Sequence, residues 1–198
     1  MYIVAATRNK HKLEEYKALL GDQNIELRSL EHYPDCPDVA EDGSTFKENA
    51  SKKALAVCKY CDAPTFADDS GLEVEALDGA PGIYSARYAA TDSERIARIL
   101  SELKDKPNRR ARFVCVIAIA INGEVIETFE GSVSGTILTE PRGENGFGYD
   151  PIFLPDGEEK SFAELSAAIK NKISHRARAV KAVMDFVEDE MAILDDEF

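Results

Sequence analysis

The sequence predicts an α/β fold: a mixed sheet with long central strands and flanking helices, arranged as two lobes around a cleft. Three observations predict it. Short apolar runs alternate with helical patterns that open on capping residues. The segment from Arg112 to Ile121 is nearly continuous in apolar residues and rich in Val and Ile, as expected of a strand covered on both faces. Asn122-Gly123 follows it, the strongest hairpin signal in the chain. A chain of 198 residues is long enough to bury a substantial core, and positions 1–198 are expected to form a single catalytic domain of two lobes.

The elements follow in order. Tyr2 to Ala6 is a short apolar strand. A helical pattern runs from about Lys10 to Leu20, with Leu13, Tyr16, Lys17 and Leu20 on one side and Gly21 as its stop. Ile25 to Leu27 is a second short strand. Tyr33 to Asp42, with its prolines and acids, is a loop. Thr45-Phe-Lys-Glu48 fits a capping box and opens a helix to about Tyr60, whose buried stripe is Phe46, Ala50, Ala54, Val57, Cys58 and Cys61. Ala63 to Ala67 and Leu72 to Leu77 are expected as strands around an Asp68-Asp69-Ser70-Gly71 turn. Thr91 and Glu94 make a second capping box, for a helix to about Leu103. After the hairpin come strands at Val125 to Gly131 and Ser132 to Leu138, then a glycine-rich loop from Pro141 to Pro155. Two helices, about Ser161 to Ile169 and Ser174 to Val187, complete the pattern, and the acidic end is expected to be solvated and frayed.

Composition narrows the function. A net charge of −13 argues against general affinity for nucleic acid or an anionic membrane, but not against a small anion held by a few local cations. No apolar run approaches membrane-spanning length and the first residues do not read as a signal peptide, so the expected location is cytoplasmic. Cys58 and Cys61 form a CxxC late in a helix, where a thiolate gains nothing, and Cys36 and Cys115 stand alone; reduced, mostly buried thiols are expected. The three histidines show no metal-ligand spacing.

Five segments carry chemistry. Thr7-Arg8-Asn9-Lys10-His11-Lys12 lies at a strand-to-helix turn, where free backbone N–H groups bind anions and Lys12 adds a point charge; simple capping by Asn9 explains it equally. Ala40-Glu41-Asp42-Gly43 precedes the second helix, with Asn49 and Lys53 at the margin of that helix's apolar stripe. Asp68 and Asp69 are adjacent carboxylates at the edge of an apolar run. Asp-Ser-Gly is good turn chemistry, yet a cation such as Mg²⁺ would relieve the repulsion. Gly143 to Asp150 allows close backbone approach, with Phe147 and Tyr149 able to stack on a base and Asp150 able to accept from one. Finally, Ser174 is a credible N-cap, which puts His175 and Arg176 in a first helical turn. The dipole disfavours positive charge there, so an anionic or hydrogen-bonding group is required nearby.

Together these segments resemble the inosine/xanthosine triphosphate pyrophosphatase family. The matching stretches are ATRNKHK, EDGSTFKENASKKA, FADDSGLEV, GAPGIYSARYA, GENGFGYDPIF and KNKISHRARA, in that order along nearly the whole chain. The resemblance implies an inosine triphosphate pyrophosphatase-like fold and Mg²⁺-dependent hydrolysis of ITP, dITP and XTP to the monophosphate and diphosphate, by a homodimer. Thr7, Arg8, Asn9, Lys10, His11 and Lys12 are implied as substrate-binding, with Thr7, Asn9 and Lys12 on the triphosphate and Lys53 helping. Glu41 and Asp69 would hold Mg²⁺, one ion per subunit, with Asp68 nearby. Asp69 would also accept the proton of the attacking water, and Ser70 would touch substrate. Phe147, Gly148, Tyr149 and Asp150 would line the nucleoside pocket, and Lys170, His175 and Arg176 would reach base and phosphate. The family has glycine where this chain has Arg8, and Lys172 offers a second lysine beside Lys170. A related hydrolase of pyrimidine or modified nucleotides, as in Maf-like proteins, and a nucleotide sensor without turnover are the alternatives.

Overall fold

A computed structural model describes residues 2–21 and 26–196, with side chains described through residue 188. Six strands form one sheet: β1 (Tyr2–Ala5), β2 (Glu26–Ser29), β3 (Thr65–Val74), β4 (Arg110–Ile121), β5 (Glu124–Ile137) and β6 (Phe153–Pro155). Their spatial order is β2-β1-β3-β4-β5-β6. β1 runs parallel to β2 and β3, and the remaining pairs are antiparallel, so the sheet is mixed. The helices are α1 (Lys10–Leu20), α2 (Phe46–Cys61), α3 (Asp92–Glu102), α4 (Ala167–Ile173) and α5 (His175–Asp196).

Local chemistry sets the helix starts. The Asn9 side chain accepts the Lys12 N–H and begins α1. Thr91 and Glu94 exchange the two reciprocal bonds of a full capping box at α3. At α2 the box is half made: Thr45 accepts the Glu48 N–H, but the Glu48 carboxylate takes the N–H of Ser44 instead. Asn122 and Gly123 both have positive φ, 53° and 78°, as the tight β4–β5 hairpin turn requires.

Strand β4 is covered on both faces, as its composition requires. Val114, Val116, Ala118 and Ala120 pack with α2 residues such as Ala50, Ala54 and Val57. Cys115, Ile117 and Ile119 pack on the other face with Leu13 and Tyr16 of α1 and Ala179 and Val180 of α5. A third cluster, built on Leu72, Ile99, Phe113, Phe153 and Phe162, packs α3 against the strands and the segment after β6. All four cysteines are free thiols, and three are buried. Among the described residues no helix is long and apolar enough to cross a membrane.

Four expectations are corrected. Asp68-Asp69-Ser70-Gly71 is not a turn: β3 runs straight through it, with Asp68 opposite Ile117 and Asp69 opposite Val116. The ladder to β4 overrides the turn preference of Asp-Ser-Gly. Gly71 serves close approach instead, because a Cβ there would strike the Gly82 carbonyl and the Ser85 hydroxyl. Beyond Val74 the chain turns into a short 3₁₀ segment, Glu75–Leu77, rather than continuing as strand. Val125–Gly131 and Ser132–Leu138 fuse into the single strand β5, which follows β4 along its length with one irregularity at Ile119/Ala120. Ser161 to Leu165 is not helical. Ser161 spends its hydroxyl on the Arg142 carbonyl, and α4 starts only after the Ser166 cap. Ile25 and the side chains of the acidic end lie outside the described residues.

Gly131 carries α5. It sits in β5 opposite Cys115, and a Cβ there would meet the His175 carbonyl and the Ala179 backbone nitrogen. The helix thus rests on the strand at backbone distance, which places its first residues. Gly131→Ala should lower the thermal midpoint by roughly 5–10 °C, through overpacking against backbone that cannot move aside. A midpoint within a degree or two of the parent protein would show that α5 is not seated on β5 in this way.

Candidate functional site

β1 pairs with β3 only at Val4–Thr65 and Ala5–Phe66. Beyond Phe66 the edge of β3 is therefore released from β1, and there a cleft of about 490 Å³ opens. The turn leaving β1 and the start of α1 form one wall. The loop before α2, together with Lys53, forms another. Loop 147–150 and the ends of α4 and α5 form the far side.

Strand alternation separates the two acids. Phe66 belongs to the α1/α5 face and Ala67 to the α2 face, so Asp68 points toward α1 and α5 and Asp69 toward α2. Asp68 is 1% exposed. It accepts Lys12 Nζ at 2.7 Å and Ser70 Oγ at 2.7 Å, with Arg176 Nη2 at 3.9 Å. Burial alone would raise its pKa, but Lys12, Arg176 and Lys53 outweigh that and hold the carboxyl well below the ordinary range. Asp69 is shifted the other way. Burial raises it, the Asn49 hydrogen bond opposes, and the neighbouring Glu41 charge raises it further. Asn49 Nδ2 donates to Asp69 Oδ2 at 2.9 Å, while Asn49 Oδ1 accepts the Gly43 N–H at 2.8 Å, so Asp69 is tied to the loop before α2. The two neighbouring acids are thus shifted in opposite directions, Asp68 down by its cations and Asp69 up by burial.

The far side is a buried chain of alternating charge. Arg176, 1% exposed, donates through Nη1 to Glu15 on α1. The other Glu15 oxygen accepts Lys170 Nζ at 2.8 Å, and Lys170 also donates to Asp150 Oδ2 at 2.6 Å. Asp150 Oδ2 in turn accepts the Phe147 N–H at 2.9 Å. Burial pushes the Asp150 carboxyl up against the pull of Lys170. Glu15 is the anionic partner that a first-turn Arg176 demanded. Arg176 is accordingly part of the fold as well as of the site. Two buried donors or acceptors in this wall, His175 Nδ1 and Arg176 Nε, have no partner among the described residues. Phe147 lies parallel to the His11 ring, 5.2 Å between centroids and 13° between planes. Tyr149 is buried and donates its hydroxyl to the Ser85 carbonyl at 2.9 Å.

Most of the residues singled out in the sequence meet here. Thr7, Asn9, His11, Lys12, Glu41, Lys53, Asp69, Ser70, Phe147, Gly148, Tyr149, Asp150, Lys170, His175 and Arg176 all line the cleft. Lys10 does not. It is exposed and two residues from Lys12, which turns it to the opposite side of the helix. Arg8 lines the rim but is committed to the loop before α2, with Nη2 donating to the Cys36 carbonyl at 2.6 Å and Nε 3.3 Å from Asp38. Lys170 is buried at the cleft and Lys172 is exposed. Glu15 was not singled out. Its one signal was position, three residues after Lys12 and so on the same side of α1.

The donor set suits an oxygen-preferring divalent ion. Glu41 and Asp69 line the same cleft, and Glu41 raises Asp69 as a like charge does. Lys53 Nζ, 2.5 Å from Glu41, already offsets part of that charge. Among the described residues no group of three His, Cys, Asp or Glu converges on a point. Two carboxylates completed by ligand oxygens and water are a common magnesium arrangement.

Glu15→Ala should strand Arg176 and Lys170 without their shared partner. A loss of roughly 3 kcal/mol in denaturant unfolding is expected, below the full cost for a deeply buried pair because the Glu15 side chain keeps 16% exposure. A loss under about 0.5 kcal/mol would reduce the network to a surface ion pair.

The sequence and fold have close counterparts among known proteins. A family model described as the Ham1 family matches residues 3–186. A dITP/XTP pyrophosphatase of Desulfotalea psychrophila is 50% identical over 184 residues, covering 91% of this chain and 82% of that protein. One from Bacillus subtilis is 46% identical over 190 residues, covering 93% and 96%. The solved structure of the Staphylococcus aureus Ham1 protein superposes with a TM-score of 0.86 at 44% identity, covering 96% of this chain and 100% of that one. A HAM1 protein from Coxiella burnetii gives 0.87 at 42% identity, covering 96% and 99%. With a family match over nearly its whole length and relatives at this identity, the chain belongs to the Ham1 family.

Proposed function

We propose that the protein hydrolyses non-standard purine nucleoside triphosphates, ITP, dITP and XTP, to the monophosphate and diphosphate. The observation that carries this reading is the placement of Asp68 on Lys12 and Asp69 on Asn49 at the edge of one cleft, with lysines on one side and an aromatic wall with unpartnered polar atoms on the other. Similar proteins bearing the name dITP/XTP pyrophosphatase support the substrate class.

Lys12, Lys53 and the backbone at the start of α1 hold the triphosphate, with Thr7 and Asn9 fixing the turn. Asp69, oriented by Asn49, takes the proton from the water that attacks the α-phosphorus, and diphosphate leaves. Asp68 stays ionised and keeps Lys12 and Arg176 in place. Glu41 and Asp69 are the residues that would hold Mg²⁺, which when bound would offset charge on the leaving diphosphate. Phe147 stacks on the base. Lys170, His175 and Arg176 meet its oxygen at position 6, an acceptor where adenine carries an amino donor. We further assign the protein to the cytoplasm, from its lack of a long apolar segment, and to a homodimer, as the family resemblance implies.

Asp69→Asn should cut diphosphate release from ITP with Mg²⁺ by about 10²–10⁴-fold while leaving the thermal midpoint close to its original value. Retention of most of the rate would remove Asp69 from the chemistry.

Arg176→Ala also unbalances Glu15 and Asp68, so absolute rates mix folding with recognition. The ratio of kcat/KM for ITP to that for ATP is the cleaner readout. Loss of a charged hydrogen bond to the 6-oxo group should shrink it on the order of 10- to 150-fold. Equal losses for both substrates would assign Arg176 to phosphate and not to the base.

A further inference from the structure

α3 contributes a pair of residues to the cleft that the mechanism above does not use. Asp92 and Arg95, in its first turn, both line the cavity. Asp92 Oδ2 accepts the backbone N–H of Gly148 at 2.7 Å, and Asp92 Oδ1 accepts Arg95 Nη1 at 2.5 Å. Arg95 Nε donates to the Ala89 carbonyl at 3.1 Å. These bonds commit two guanidinium nitrogens, and Nη2 makes no hydrogen bond among the described residues.

An ordinary explanation covers only part of this. An acid at the first position of a helix is favoured by the dipole, and an i, i+3 ion pair is common on surfaces. Neither accounts for a carboxylate bonded to a loop 56 residues away. Neither accounts for a guanidinium in a first turn, where the dipole opposes it, with only 19% of its side chain exposed. Burial lifts the Tyr149 phenol well above its ordinary range, and Arg95 is the strongest charge working against that rise, so the guanidinium stands close to the nucleoside wall.

We propose that Arg95 is a substrate contact for the α-phosphate of the bound nucleotide, and that Asp92 is the positioning residue that ties it to Gly148. The argument rests on the reading of Phe147–Asp150 as the nucleoside end. The α-phosphate is the first anionic group beyond the nucleoside. A planar guanidinium matches phosphate oxygens in a way a lysine does not. Lys12 and Lys53 stand with Asp68 and Glu41, as Arg95 stands with Asp92, but the Arg95 guanidinium keeps Nη2 without a hydrogen bond among the described residues and lines the cleft beside Gly148 and Tyr149.

Calorimetry on the full chain, with IMP, dIMP and diphosphate as separate probes, tests this without turnover. Arg95→Gln should weaken IMP and dIMP alike, by on the order of tenfold, and leave diphosphate within about twofold. Intact diphosphate binding shows that the variant is folded. Arg95→Lys, which keeps charge but not the planar fork, should fall between. Asp92→Asn should weaken IMP less than Arg95→Gln does, and in ITP hydrolysis, where the α-phosphorus is the reacting centre, both losses should appear in kcat/KM with kcat lowered. Unchanged IMP affinity in Arg95→Gln would overturn the proposal, as would a loss confined to IMP, which would put Arg95 on the 2′-hydroxyl, or an equal loss of IMP and diphosphate. Failure of the unaltered protein to bind IMP would instead sink the parent reading of the site, and this one with it.

Discussion

Two adjacent carboxylates can be buried side by side only if something keeps them from facing each other. Here a β-strand does it. Continuous pairing of β3 with β4 forces Asp68 and Asp69 to opposite faces, where each meets its own partners. Asp68 gathers Lys12 from α1 and Arg176 from α5, so it fixes where two helices begin relative to the sheet. Asp69 is left with one neutral hydrogen bond and a like-charged neighbour. The early end of β1 completes the arrangement, because a longer β1 would pair with the edge that the cleft requires.

From that strand a line of alternating charge runs through the far wall: Asp68, Arg176, Glu15, Lys170, Asp150. Its members come from β3, α1, α4, α5 and the loop after β5, up to 161 residues apart. Such a chain adds little net stability compared with apolar packing, since each ion must be stripped of water. It makes wrong arrangements expensive, because any element that slips leaves an unpaired buried charge. The same residues that orient the ligand-facing groups thereby help to define how α1, α4 and α5 pack.

What could be read in the sequence was what depends on near neighbours. The Asn9 and Thr91 caps, the Gly21 stop, the Asn122-Gly123 hairpin and the two-sided apolar pattern of β4 all rest on interactions within a few residues, and all are present. Sequence pattern and structure part company where distant pairing decides. Asp-Ser-Gly reads as a turn until β4 supplies a ladder for it. The break expected after Gly131 disappears because β4 is long enough to template one continuous β5. Ser161 is a reasonable helix cap whose hydroxyl is claimed by Arg142. Within the site, the need for an anion beside Arg176 was legible from the helix dipole. Its identity as Glu15 was not, because only the packing of α1 against α5 brings the two together. Asp92 and Arg95 were hidden for the opposite reason: a helix-start acid and an i+3 arginine have so good a local explanation that nothing points beyond it.

The main cations of the cleft are already spoken for: Lys12 by Asp68, Lys53 by Glu41, Lys170 and Arg176 by Glu15. An incoming polyphosphate therefore does not fall into a bare positive basin. It must share or exchange partners with carboxylates held in fixed places, within a molecule whose overall charge is −13. Long-range attraction is weak under those conditions, and capture depends on short-range fit. This separates the cleft from a groove built for nucleic acid, where a loose cloud of counterions is displaced and affinity collapses as salt rises. Here the competing anions are covalently part of the protein, and added electrolyte has much less to compete for.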